Sequence, residues 1–372
     1  MKRTRELLDL LGIDLPIVLA PMAGNSTPEL VAAVSNAGGL GSYGCAMLSR
    51  EQLIEEARRM KALTNRSFNL NFFCHAPPNV TPEQERAWRD KLAPYYGEFG
   101  VDPNATVSGN RRPFDDETCE AVLAIAPKIV SFHFGMPNAD QVSRLKSART
   151  VLMSSATSTA EARRLVELGA DVIVAQGFEA GGHRGMFLST DISTQVGTMA
   201  LVPQVVDAVN VPVIASGGIA DARGVAAALA LGAAAVQVGT AYLLSPQAKV
   251  SAIHRAVLRT TRDDATVLTN LFTGRPARGI LNRFVRELGP MNTTAPQFPM
   301  AANAVTPLRA QVEQRGSGDF TPLWSGQAAA LAHETDAAEL TRNLAAGALE
   351  ILGDLGERSR AEQQARRAPA AR

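Results

Sequence analysis

The sequence predicts an α/β protein, a (β/α)8 or TIM barrel with an irregular and helical C-terminal extension. Three observations carry that expectation. Eight short apolar runs, separated by helix-length amphipathic stretches, occupy residues 17 to about 260. Glycine-rich turns follow the sixth, seventh and eighth runs, at the strand ends where such barrels keep their chemistry. A length of 372 residues with 46% hydrophobic content suffices for one large core. Periodicity does not show closure, so an open doubly wound sheet is the alternative; the count of eight favours the barrel.

The elements follow in order. Ile17-Val18-Leu19-Ala20-Pro21-Met22 is the first strand, and Pro28 opens the first barrel helix, where a missing N–H costs nothing. Gly38-Gly39 ends that helix before a short second strand, Leu40 to Gly44, and Ser49 caps a charged helix reaching about Leu63. Phe68 to Phe73 alternates apolar and polar residues, as a half-buried third strand should. Residues 77–116 are long and polar, with a helix expected from Pro82 to Tyr95, and read as an insertion over the open end.

Strands four to six are Ile129–Phe134, Val151–Ser155 and Asp171–Gln176, with a helix from Thr159 to Leu168 ended by Gly169. Val211 to Ser216 is the seventh strand and Ala235 to Gly239 the eighth, around a helix from Asp221 to Leu231. From 261 the rhythm is lost in a stretch rich in Pro, Asn, Thr and Gly; one long helix is expected from Gly326 to Ile351. The expected organisation is a barrel over 1–260 with the 77–116 insertion, an extension over 261–356 packed on it, and a disordered polar tail over 357–372.

The formal net charge of +1 gives no reason to expect nucleic acid or an anionic membrane as partner. No apolar run reaches the length of a membrane span, and the basic start lacks the apolar region of a secretory signal. Cys45, Cys74 and Cys119 are far apart and odd in number, without metal spacing, which fits free thiols and a cytoplasmic location. No His, Asp or Glu cluster has ligand spacing, so no metal is expected.

Chemistry concentrates at the strand ends. Strand six runs into Gln176-Gly177-Phe178-Glu179-Ala180-Gly181-Gly182-His183-Arg184-Gly185, a loop whose backbone can approach an anion or a planar ring. His183 within it has a proton affinity near neutrality in water; a solvated imidazole in a turn is the plainer reading. Ser216-Gly217-Gly218-Ile219 and Val238-Gly239-Thr240-Ala241 sit where barrels hold phosphate, with Thr240 adding a hydroxyl donor. Tight turns alone would also use those glycines. Ala20-Pro21-Met22-Ala23, Asn71, Gln176 and Gln237 are neutral and suit the edges of a flat heterocycle, or else serve the barrel backbone. His133 shares a strand face with Ser131, opposite Phe132 and Phe134; it is either a paired core histidine or a cavity residue.

Together these segments resemble the nitronate monooxygenases, over about residues 14–330. Glu179 to Gly185, the run through Phe73-Cys74-His75, and Pro322-Leu323-Trp324-Ser325-Gly326-Gln327 resemble the class I branch. The resemblance implies FMN across the barrel mouth. Met22, Asn71 and Gln176 would contact its isoalloxazine, beside Ala20 and Pro21. Gly181, Gly182, Gly217, Gly218, Gln237, Val238, Gly239 and Thr240 would hold the ribityl chain and phosphate. It further implies His183 as base and substrate anchor, with His133 and Trp324 on the substrate side. The implied reaction oxidises alkyl nitronates, propionate 3-nitronate among them, with O2 to carbonyl compound and nitrite through an anionic flavin semiquinone. The implied assembly is a monomer or homodimer. An NAD(P)H-dependent flavin reductase of the same fold, acting on quinones or enoyl thioesters, is the alternative.

Overall fold

A computed structural model describes residues 2–105, 107 and 111–367. Eight parallel strands form one sheet: β1 (Ile17–Leu19), β2 (Gly41–Gly44), β3 (Phe68–Phe73), β4 (Ile129–His133), β5 (Val151–Ala156), β6 (Val172–Gln176), β8 (Val213–Ser216) and β9 (Ala235–Val238). The two-residue strand β7 (Gly182–His183) lies outside that sheet. Each barrel strand pairs with its sequence neighbour, and β1 pairs with β9. The last gap, between β1 and β2, is bridged at Val18 and Leu40. There Leu19 N–H donates to the Leu40 carbonyl and Leu40 N–H to that of Ile17, both at 2.9 Å. The sheet is therefore a TIM barrel and not an open doubly wound sheet.

The first helix, α1 (Lys2–Leu11), is absent from the sequence reading; of its four leucines it buries Leu7 and Leu11. Those two side chains are wholly buried with Val18, Leu40, Ile129 and Met153, so α1 plugs the floor of the barrel. Outer helices begin on side-chain caps. Thr27 accepts from Leu30 N–H at the start of α2 (Pro28–Asn36), and Ser49 forms a capping box with Gln52 on α3 (Arg50–Leu63). Their apolar faces pack on the sheet in one continuous core, which sets the strand ends at fixed heights.

The expected long helix begins later than its sequence pattern indicates. Gln327–Leu331 is a 3-10 turn, and the helix proper is α13 (Ala337–Arg367). The tail expected to fray from 357 is helical as far as Arg367, and residues 368–372 lie outside the described residues. In order between α3 and α13 come α4 (Pro82–Phe99), α5 (Asp116–Ile125), α6 (Ala139–Ser147), α7 (Thr159–Glu167), α8 (Thr198–Ala208), α9 (Ala222–Ala230), α10 (Ala252–Arg259), α11 (Arg283–Leu288) and α12 (Ala301–Gln314). The α13 helix packs against α9 and α2. Its Thr341 meets the buried Tyr242 hydroxyl at 2.8 Å, and a Cβ on its Gly347 would stand 2.8 Å from that of Ala222. It therefore fills the place of the eighth barrel helix, and residues 240–336 interrupt the eighth strand–helix unit.

Those residues rise over the strand ends as a cap. Its hairpin, β10 (Thr266–Thr269) and β11 (Ala277–Ile280), is antiparallel. The α4 helix, ended by Gly100 at φ 68°, packs on α12, so the polar segment after β3 joins the same cap. Trp88 Nε1 donates to the Ala301 carbonyl at 3.1 Å, and Tyr96 Oη to that of Ala304 at 2.8 Å. Around them Tyr95, Phe284 and Phe320 form a second apolar core.

Candidate active site

The loop after β6 is ordered by the cap. Gly182, at φ 70°, turns the chain so that β7 adds to β11, with His183 opposite Ala277 and Gly182 opposite Arg278. His183 is thus a strand residue facing a cavity, and the solvated-turn reading does not hold. The Gln176 side chain spans the turn: its Nε2 donates to the His183 carbonyl at 3.0 Å and its Oε1 accepts from Gly185 N–H at 2.7 Å. His133 Nε2 bonds the same carbonyl at 3.1 Å. Only a glycine fits at 185, where a Cβ would lie 2.9 Å from His133 Cε1.

Two acids, the half-buried Glu179 and the buried Glu161, pin the flanks. Glu179 accepts from Thr198 N–H and its hydroxyl, both at 2.8 Å, at the start of α8; that helix has no cap of its own. The Thr198 hydroxyl also donates to the Gly217 carbonyl at 2.9 Å. Glu161 accepts from Phe187 N–H at 2.6 Å and from the Thr157 hydroxyl at 2.7 Å. Arg184 is wholly buried and donates to the carbonyls of Gly177 and Gln176, at 2.5 and 2.8 Å.

The His183 imidazole is enclosed by aromatic rings, with centroids at 5.3 Å from Phe298, 5.5 Å from Trp324 and 6.1 Å from both Phe73 and Phe134. Its Nε2 meets the Thr273 hydroxyl at 2.9 Å. Burial, reinforced by the charges of Arg111 and Arg275, holds its pKa well below the ordinary value. Burial likewise lowers His133 to about 3 and His75 to about 4. All three rings are neutral at physiological pH, and His183 keeps a lone pair there. Phe134 does not point away from His133 as strand alternation implies. The strand ends at His133, and Phe134, at φ 70°, turns its ring to 4.5 Å from that of His133.

Polar side chains line the wall of the barrel below this ring. Asn71 and Ser131 are register partners on β3 and β4, and Asn71 Nδ2 donates to Ser131 Oγ at 2.8 Å. Gln237 Nε2 reaches Ser216 Oγ at 3.3 Å. Gly217 and Gly218 have φ of 112° and 71°, so their turn exposes backbone N–H groups that a Cβ residue would not present. Thr240 Oγ1 accepts from Gly326 N–H at 2.9 Å, leaving its own proton to donate.

Every site residue expected from the sequence borders this one cavity except Val238. Val238 points outward into the barrel–helix core, wholly buried, and only its carbonyl faces the strand ends, accepting from Ala20 N–H at 2.8 Å. Gly181 has a further constraint: a Cβ there would stand 2.5 Å from Gly326 N. The cap and the β6 loop touch backbone to backbone at that point.

The cations sort clearly. Arg278 donates to the Phe178 carbonyl at 3.0 Å, and Arg283 pairs with Glu98 and Glu287 on the outer cap. Arg275 bonds the Met186 carbonyl and stacks 3.9 Å over Phe134. Arg111 lines the cavity, and among the described residues no carboxylate pairs with it. Sequence reasoning missed Arg111 and Thr273. The signal for the first was an Arg111-Arg112 pair in an otherwise featureless polar segment; for the second there was none beyond proximity to Gly274.

A sequence model described as nitronate monooxygenase matches residues 4–347. The chain belongs to the nitronate monooxygenase family. A nitronate monooxygenase of Pseudomonas aeruginosa is 44% identical over 338 residues, 90% of this chain and 96% of that protein. One from Paraburkholderia phytofirmans is 42% identical over 344 residues, 91% and 94% of the two chains. Among solved structures, a nitroalkane oxidase from Streptomyces ansochromogenes superposes with a TM-score of 0.85 at 37% identity, over 94% of this chain and 99% of that one. FabK from Thermotoga maritima superposes at 0.72 with 29% identity, over 95% and 98%. This family member is an oxidoreductase. No described helix is long and apolar enough to cross a membrane.

Proposed function

We propose that this enzyme oxidises alkyl nitronates with O2, giving a carbonyl compound and nitrite, and that FMN is its cofactor. The observation that carries the reading is the neutral, enclosed His183, held above a wall of neutral amides beside a glycine-lined anion turn. The residues fit a flavin mononucleotide. The turns at Gly217, Gly218 and Gly239, with the Thr240 hydroxyl, would hold its phosphate. Met22, Asn71 and Gln237 would meet the ring, and Gln176 would border it while restraining the His183 loop. Bound FMN supplies the electron chemistry with oxygen.

The chain's own residues bind and orient the substrate. A nitronate is a delocalised anion, and the cavity offers its oxygens a hydrogen bond from His183. Phe73, Phe298 and Trp324 exclude water around that group. His133 orients the His183 backbone and bonds its carbonyl; its ring borders the same cavity. Propionate 3-nitronate is the substrate this charge pattern favours, its carboxylate meeting Arg111. Cytoplasmic location and a monomer or homodimer belong to the same reading.

Anaerobic mixing of the yellow holoenzyme with propionate 3-nitronate tests it. The expected result is a change in flavin absorbance, reversed on admitting air with release of nitrite. A flavin unmoved by the nitronate but bleached by NADH would instead assign an NAD(P)H-dependent flavin reductase, the chemistry open to a fold that also superposes on FabK.

A further inference from the structure

Thr273 lies between β10 and β11 and is 2% exposed. Among the described residues its hydroxyl has one hydrogen-bond partner, His183 Nε2, at 2.9 Å. A buried hydroxyl that only accepted there would leave its own proton unpaired, at a cost larger than the bond returns. Thr273 therefore donates and Nε2 accepts. In a neutral imidazole the ring proton then sits on Nδ1. His183 lines the cavity, and among the described residues its Nδ1 has no hydrogen-bond partner. The nitrogen offered to a ligand is the one that carries the proton.

We infer that Thr273 is a positioning residue that holds His183 as a donor toward the cavity, and thereby restricts the enzyme to substrates that arrive already ionised. The substrate half of this inference rests on the proposed nitronate chemistry. A nitronate needs a donor at its oxygens, and Nδ1–H supplies one. A neutral nitroalkane needs a base. Its α C–H bond must break, the electron pair becoming the C=N bond of the nitronate, while the proton lands on a nitrogen lone pair. In the tautomer set by Thr273, the lone pair of His183 points at the threonine. Turning Nδ1 into the base requires the proton on Nε2 and the Thr273 hydroxyl as acceptor, its own proton orphaned. That lowers the base-competent population about tenfold to a hundredfold. His133 donates Nε2–H to the His183 carbonyl and keeps its lone pair on Nδ1, and burial, which holds that ring at about 3, leaves it too weak a base to substitute.

Two measurements on the FMN-loaded enzyme test this. The first is the ratio of kcat/KM for propyl 1-nitronate to that for 1-nitropropane in wild type, Thr273→Val and Thr273→Ser. The valine is expected to lower the ratio about tenfold by releasing the tautomer, and the serine to keep it. A ratio unchanged in Thr273→Val overturns the proposal. The second is the 15N spectrum of histidine-labelled wild type, a chain with five histidines, assigned by loss of the signal in His183→Asn. A protonated Nδ1 supports the proposal and a protonated Nε2 overturns it, with the tautomer read on the wild-type chain itself. Should wild type release nitrite from neither substrate, the nitronate reading fails, while the spectrum still decides what Thr273 does.

Discussion

Gln176 grips His183 without touching its ring. One amide donates to the His183 carbonyl at 3.0 Å and accepts from Gly185 N–H at 2.7 Å, so the turn carrying the imidazole is tied to the end of a barrel strand. Gln176→Leu removes both bonds and leaves the carbonyl with His133 alone. Unfolding free energy should fall by about 2 kcal/mol. kcat on nitronates should fall about tenfold or more, with flavin content retained. Denaturant unfolding and steady-state assays of the same preparation check both.

His183→Asn keeps a side-chain donor in the cavity but no basic nitrogen. It should retain FMN and part of the activity on preformed nitronates, and lose the residual activity on neutral nitroalkanes. Equal fractional losses on the two substrate classes would remove any proton-abstracting role for this residue.

Arg111→Gln should raise KM for propionate 3-nitronate about tenfold or more, the scale of a charge-assisted hydrogen bond lost in a dry site. The effect on propyl 1-nitronate, which lacks the second anionic group, should be several-fold smaller. Equal effects on the two would mean that the guanidinium meets the nitronate oxygens and no carboxylate.

Acid should destabilise the fold through its histidines. His133, at about 3, and His75 and His254, at about 4, stay neutral in the folded chain while the unfolded chain protonates near 6.5. The unfolded state binds the extra protons, so stability is full above pH 6.5 and is lost as pH falls toward 4. Each such histidine contributes about 1.4 kcal/mol per pH unit in that window. Thermal melts between pH 5 and 8 should show Tm falling below 6.5. kcat/KM on nitronates should show no inflection at 6.5, because His183 titrates well below it.

Gly181→Ala would press a methyl against Gly326 N, 2.5 Å from the ideal Cβ position. Backbone on both sides leaves nothing flexible to yield. Lower Tm and lower flavin occupancy, both measurable on purified protein, should accompany each other, since the cap and the β6 loop meet there.

Much of the barrel was legible because each strand is a short apolar run bounded by glycine or a capping residue. The pairing of Asn71 with Ser131, or of Gln237 with Ser216, follows once the register is known. The eighth helix was not legible as such. It follows β9 only after residues 240–336, and adjacency in sequence no longer reports adjacency in space. The role of Gln176 was hidden for a related reason: an amide at a strand end can serve a ligand or a nearby backbone turn, and its sequence is the same in both cases. Thr273 depended on the hairpin that brings it to His183 across 90 positions, a distance no local pattern spans.

The late arrival of α13 also orders events during synthesis. All eight strands leave the ribosome before the helix that covers the seam between α9 and α2 exists. Until the final stretch emerges, the nascent barrel bears an uncovered apolar stripe, and the cap must already have been threaded between its last strand and its last helix. A chain cut short after 336 would carry every residue of the cavity and still lack the piece that closes the ring of helices around it.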